Sequence, residues 1–383
     1  MRFYENPQKT SENRLPQRAY YIPENPGAYT LLNGQWRFRY YPRDIDLEET
    51  VTQWDTIDVP SCWQSRGYEN PNYTNVKFPF PVDPPFVPDD NPCAVYEREF
   101  TVTQPENKTY LVFEGIASAG AVYVNGRYVG FTTGNHLQAE FDITGFVTDG
   151  ENTLRVIVYK WACTTYLEDQ DCFRFNGIFR DVYLLSRPQG HIVDIAITTH
   201  ENRVSVAFNG QATVTLLDGE TELSQQIAEN TATFTIENPK FWNAEQPYLY
   251  TLQLESRGEV ITQKVGLRSI AIAPDGRLLV NGVSVKLQGV NRHDTHPTNG
   301  WSMTDEDLLA ELRLMKQLHI NCIRTSHYPP SPKYLNLCDE LGFYVVLETD
   351  LETHGFYKRF GHGEKDPGFD MESAHWPCNR PEW

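Results

Sequence analysis

The sequence predicts a multidomain β plus α/β protein: a jelly-roll-like sandwich, an immunoglobulin-like sandwich, and then the first three strands of an incomplete TIM (β/α)8 barrel. Three changes of pattern along the chain carry that prediction. Apolar-rich runs broken by turn residues fill residues 1–190. Short strands at even spacing fill 191–270. A β-α-β-α-β alternation fills 271–383. At 383 residues the chain is long enough for two or three domains.

In the first region the runs Trp36–Tyr40, Thr109–Phe113, Ala121–Val124 and Thr153–Tyr159 read as strands. Asn125-Gly126 separates two such runs and marks a tight hairpin. Asn70 to Pro92 is a long Pro-rich loop. A loop of that length either has a function or packs on another domain. In the second region Val204–Phe208, Ala212–Leu216, Ala232–Ile236 and Tyr248–Leu254 form evenly spaced strands, as expected of an immunoglobulin-like sandwich. No Cys…Trp…Cys pattern accompanies them.

From Leu278 the grammar changes. Val285–Val290 reads as a strand. Thr304 is placed to cap a helix with Asp305, Glu306 and Asp307 in its first turn and Leu308, Leu312 and Met315 on its buried stripe. Ile320–Thr325 is the next strand. Ser331 caps a second helix, with Pro332 at its first position and Gly342 past its end. Phe343–Leu347 is the third strand. Eight such units need ~250 residues, and about 105 follow Leu278, so a truncated barrel is expected.

The net charge is −18, which opposes nucleic-acid binding, where a basic face is needed. No apolar run approaches the ~20 residues of a membrane span, and no secretory signal follows Met1. The seven cysteines are odd in number and lack CxxC spacing. Free thiols in a cytoplasmic protein are the expectation.

Four of the ten histidines follow the three barrel strands: His293 and His296, His327, and His354. Barrel active sites form at that face. Hydrogen bonding within loops is the competing role, strongest for His296. Glu352 and His354 stand at i and i+2, which on an extended segment aims both the same way. One oxygen and one nitrogen donor suit a Mg²⁺ that keeps several waters. The acidic run Glu168-Asp169-Gln170-Asp171 is flanked by aromatic residues. Partial burial is expected, with a metal ion or a polyol as the partner of its carboxylates.

The motifs ENRLPQRAY, LNGQWRF, VPSCWQ, YTNVKFPFPVDPPFVPDDNP, VYVNGRYVGF, YLEDQD, GIFRDVYL, LQGVNRHDTHP, LMKQLHINCIRTSHYP and LCDELGFYVVLETDLETHG run through the whole chain. Together they resemble family 2 glycoside hydrolases, and within them the large bacterial β-galactosidases of the lactose-operon and evolved types, over their N-terminal part. The resemblance implies hydrolysis of terminal β-D-galactose residues by a retaining double displacement. It implies substrate contacts from Asn75, Asp171, His293 and His327. It implies a Mg²⁺ on Glu352 and His354 and a Na⁺ on Asp171. Asp294-Thr295 departs from the family's Glu-His, which weakens any role for that loop. The family's acid/base and nucleophile glutamates find no match in the chain. A catalytically silent N-terminal part is therefore expected, in a homo-oligomer or with a complementing C-terminal polypeptide. The alternative is a non-enzymatic galactose-binding module.

Overall fold

The computed structural model describes residues 2–75, 77–104 and 106–355. The remainder of the predicted third domain lies outside the described residues. The first domain is a sandwich. Its seven-stranded sheet runs in the order Ser11–Glu12, Arg127–Thr133, Ala119–Val124, Gly150–Tyr159, Cys93–Val102, Gly34–Tyr41, Asp55–Val59. Its four-stranded sheet runs Ala139–Asp142, Lys108–Phe113, Val182–Arg187, Tyr29–Leu31. Trp36, Phe38, Tyr96, Phe113, Val122, Phe141 and Val156 fill the space between the sheets. The outer face of the larger sheet is covered as well. Tyr4, Tyr41, Phe78, Val87, Phe131, Trp161 and Tyr166 build a second core there beneath the Pro-rich loop. The hairpin turns at Asn125-Gly126 as expected, both residues at positive φ (52° and 73°), the signature of a type I′ turn.

The Pro-rich loop is not structureless. Within it β1 (Asn72–Thr74) pairs antiparallel with β2 (Cys172–Arg174), which follows the acidic run. The second domain differs in detail from the expectation. Val204–Phe208 and Ala212–Leu216 are parts of one strand, Arg203–Asp218. The register slips between Ala207 and Gln211, where Gly210 has φ 85°. A bulge of this kind bends a strand without ending it. Tyr21, Val204, Val214, Phe234, Leu252 and Ile261 make the domain's core.

The third region begins with a small antiparallel sheet, Ile270–Ile272, Leu278–Val280 and Val283–Ser284. The first parallel strand, β3 (Gly289–Arg292), starts later than the sequence suggests. Then come α1 (Asp305–Gln317), β4 (Cys322–Thr325), α2 (Pro332–Leu341) and β5 (Tyr344–Val346). The three strands pair in parallel in chain order. Thr304 and Asp307 form the capping box that starts α1. Ser331 precedes α2 but makes no side-chain cap bond, so Pro332, with its preset φ, starts the helix instead. Leu308, Leu312, Ile323, Tyr334, Cys338 and Phe343 lock helices to strands. Met315 is only partly buried against them.

The domains are joined by buried charge. Arg187 grips Glu259 through two bonds of 2.7 Å, tying the sandwiches together. Arg180 reaches Asp294 at 3.0 Å and the Pro329 carbonyl at 2.9 Å. Arg292 holds the same carboxylate at 2.9 Å. Burial pushes Asp294 up, but Arg292 and Arg180 outweigh it and hold it below the usual carboxylate range. Asp294 is thus a joint between sandwich and barrel, which gives the departing Asp-Thr pair a structural task. Trp242 donates to the Asp339 carbonyl at 2.8 Å, fixing the second domain on α2. The six described cysteines are buried and free. No helix among the described residues is long and apolar enough to cross a membrane.

Candidate active site

Parallel strands aim their C-terminal ends at one mouth. β3 delivers His293 there, β4 delivers His327 and β5 delivers Glu348. The His293 and His327 rings meet edge to face at 5.3 Å. Burial holds the His293 imidazole below its ordinary range; the neighbouring His327 adds to this and Asp171 opposes it. Glu348 is fixed twice. Its backbone N–H donates to Thr325 Oγ1 at 3.0 Å, and its carboxylate receives Arg324 and, at 3.1 Å, His327 Nδ1. His296 is used differently. Its Nδ1 accepts the backbone N–H groups of Thr298 and Asn299, both at 3.2 Å. It fastens its own loop.

The first domain closes one side of the mouth. The β1–β2 register pairs Cys172 with Thr74, so Asp171 and Asn75 lie together at the same end of that ribbon. The Tyr73 hydroxyl donates to Asp171 Oδ1 at 2.5 Å, which leaves the second oxygen for a ligand. Asn75 is exposed. From that end Asp171 bears electrostatically on His293 of the barrel.

The acidic run is partly buried, as expected. Asp169 is fully buried, and protein groups supply the cation and the donor that its burial requires. Arg174, from the adjoining β2, pairs with one oxygen, and the Gly355 N–H donates to the other at 2.5 Å. Burial still pushes this carboxyl up to about 6, against the pull of Arg174 and of the Gly355 N–H. A Cβ on Gly355 would lie 2.5 Å from Asp169 Oδ2 and 2.7 Å from the Phe78 ring. Only glycine allows that approach.

Glu352 and His354 do come together, 3.5 Å apart. The route is not an extended segment. Thr353 has φ 59°, a costly conformation for a β-branched residue. It is held there by the first domain. The N–H groups of Glu352 and Thr353 both donate to the Leu167 carbonyl at 3.0 Å, and that of His354 donates to the Asp169 carbonyl at 3.0 Å. Among the described residues His354 Nδ1 is a buried atom with no hydrogen-bond partner, the kind of orphan that a bound ion would satisfy. Oxygen and nitrogen donors that leave room for water fit the implied Mg²⁺. Among the described residues no group of three or more His, Cys, Asp or Glu is arranged to hold a metal. At the implied Na⁺ position Asp171 offers a carboxylate oxygen that has no hydrogen-bond partner among the described residues.

The sequence reading missed His136 and the partners of Glu168 and Gln170. His136, from the first domain, stacks on Tyr328 with ring centroids 3.8 Å apart and bonds Asp350 at 2.7 Å. It clasps the loops after β4 and β5 together. Burial holds its imidazole below the ordinary range, with Asp350 opposing. Glu168 lies beside Asp350; burial and that neighbour raise it well above the usual carboxylate range, and the Asn135 N–H opposes them. Gln170 donates to the His327 carbonyl at 2.9 Å. None of these pairings has a local spacing that a sequence pattern would reveal.

Residues 29–188 match the sugar binding domain of the glycosyl hydrolases family 2, 182–268 a further domain described as glycosyl hydrolases family 2, and 270–383 that family's TIM barrel domain. The chain belongs to glycosyl hydrolase family 2. Its relatives include a β-galactosidase of Staphylococcus xylosus, 39% identical over 95% of this chain and 39% of that one. A β-galactosidase of Actinobacillus pleuropneumoniae is 41% identical over 92% and 38%. One of Kluyveromyces lactis is 35% identical over 99% and 43%. The chain thus spans about two fifths of these relatives' length. Among solved structures it is similar to a Bifidobacterium dentium β-glucuronidase complexed with coumarin-3-O-glucuronide (TM-score 0.72, 24% identity, 87% of this chain and 64% of that one). It is also similar to a Dictyoglomus thermophilum β-D-glucuronidase (TM-score 0.69, 22%, covering 88% and 59%). At those identities the likeness concerns the fold.

Proposed function

We propose that the chain is the N-terminal, substrate-gripping part of a retaining β-galactosidase. The observation that carries this is convergence: Asp171 from the sandwich bears electrostatically on His293, whose ring meets that of His327 from the next barrel strand, while Glu352 and His354 pair after the third. A carboxylate and imidazoles offer acceptors and donors to several hydroxyls of one sugar. In this reading Asn75 and Asp171 contact the galactose from the sandwich side, and His293 and His327 contact it from the barrel. Glu352 and His354 would hold a Mg²⁺, whose contribution would be positive charge for the reaction. The free oxygen of Asp171 serves a sugar hydroxyl or a Na⁺. The names of the β-galactosidase relatives favour galactose as the sugar.

Retaining hydrolysis needs two carboxyl groups ~5–5.5 Å apart on opposite sides of the sugar. Glu348, Asp350 and Glu352 all leave one strand end and cannot flank a sugar from two sides. Asp350 is in addition taken by His136. The 383 residues therefore bind the sugar without turning it over, and a complementing polypeptide or the longer protein supplies the acid/base and the nucleophile. The test is hydrolysis of a β-galactoside by the purified 383-residue chain with Mg²⁺. No turnover above buffer is expected. Robust turnover lost on a conservative change within the chain would overturn the division of labour.

A further inference from the structure

The two strand-end histidines His296 and His327 are held by opposite chemistry. A neutral imidazole has one N–H and one lone pair. His296 Nδ1 receives two backbone N–H groups, so its lone pair is on Nδ1 and its proton on Nε2, the side facing Asp307. His327 Nδ1 lies 3.1 Å from a carboxylate oxygen of Glu348, and an ionised carboxylate only accepts. Its proton is therefore on Nδ1, and Nε2 keeps the lone pair.

The parts around His327 are held in place. Arg324, from the same strand as His327, engages the other oxygen of Glu348. The Glu348 backbone is pinned to Thr325 Oγ1 and the His327 carbonyl to Gln170. Turning the ring over would forfeit the bond to Glu348 and leave that oxygen facing carbon.

We propose that Glu348 is a positioning residue: it fixes His327 as the Nδ1–H tautomer, so that the ring meets its ligand through an accepting nitrogen. A hydroxyl donor satisfies that nitrogen. That the donor is a sugar hydroxyl rests on the sugar-binding reading above; the tautomer does not.

The test uses the ligand-free 383-residue chain with ¹⁵N-labelled histidine, at about pH 8 where an ordinary imidazole is neutral. The His327 signals are those absent from H327Q. Nε2 of His327 is expected unprotonated and Nε2 of His296 protonated. E348L should mix or reverse the His327 tautomer, and E348Q should restore it, because the amide oxygen accepts from Nδ1–H. His296 should keep its tautomer in both variants, which reports that the barrel is intact. An unprotonated Nδ1 at His327 in the wild type would overturn the proposal. So would an unchanged tautomer in E348L. Calorimetry with galactose then reads the use of that nitrogen. E348L should weaken binding several-fold and E348Q should restore it. Unchanged binding in E348L overturns the ligand-facing role. No binding of galactose by the wild type overturns the sugar reading, while the tautomer, read without ligand, stands or falls by the spectra.

Discussion

Two acidic runs face each other across the mouth, Glu168–Asp171 from the sandwich and Glu348–Glu352 after β5. Each divides into a buried half and an open half. The Asp169 and Asp350 side chains are 0% and 7% exposed, and each has a cation or an imidazole to itself. Those of Glu348 and Glu352 are 25% and 38% exposed. A buried carboxylate must be paired, because an unpaired one costs several kcal/mol. It becomes a joint. A more exposed one is under no such demand: Glu352 can turn to a ligand, while Glu348 gives its two oxygens to Arg324 and His327. The joints do not touch the proposed sugar, yet they set where the ligand-facing residues stand: Asp169 with its neighbour Leu167 turns Thr353, and His136 with Asp350 clasps two loops.

The comparison is broken most directly at Arg174. R174L leaves Asp169 buried without its cation and should cost about 3–5 kcal/mol, read by chemical denaturation. A loss below about 1 kcal/mol would mean that the pair is not the joint described. A smaller effect comes from Glu168. Its folded form binds a proton that the unfolded chain has released above the ordinary carboxylate range. Between that range and the raised folded value the native state carries more protons than the unfolded one. This group's contribution to stability therefore falls as pH rises. E168Q removes that slope and should be more stable than the wild type at about pH 8, by roughly 1 kcal/mol or more. Parallel pH profiles for the two proteins would contradict the buried, protonated assignment.

Much of the architecture was legible because it is local. Asn125-Gly126, Thr304 with Asp307, and Pro332 each act within a few residues and stand where expected, whereas Val204–Phe208 and Ala212–Leu216 merge into one strand and the first parallel strand starts later. Of the site, the strand-end histidines were legible because β-α-β grammar places strand ends. What was hidden depends on distant pairing. His136 and Asp350 are 214 residues apart, and Asp169 meets Gly355 across 186. Nothing in the letters Glu-Asp-Gln-Asp says which carboxylate will be buried. The left-handed turn at Thr353 runs against its own β-branched preference, so no local rule anticipates it.

The central claim is that one sugar site is built from two domains. It is tested most directly by calorimetric titration of the 383-residue chain with galactose in the presence of Mg²⁺, comparing D171A, H327A and H296A with the wild type. The account predicts that D171A and H327A each weaken binding about tenfold or more, equivalent to 1.4 kcal/mol, while H296A binds as the wild type does. Binding lost in D171A but unchanged in H327A would contradict it and place the sugar on the sandwich alone.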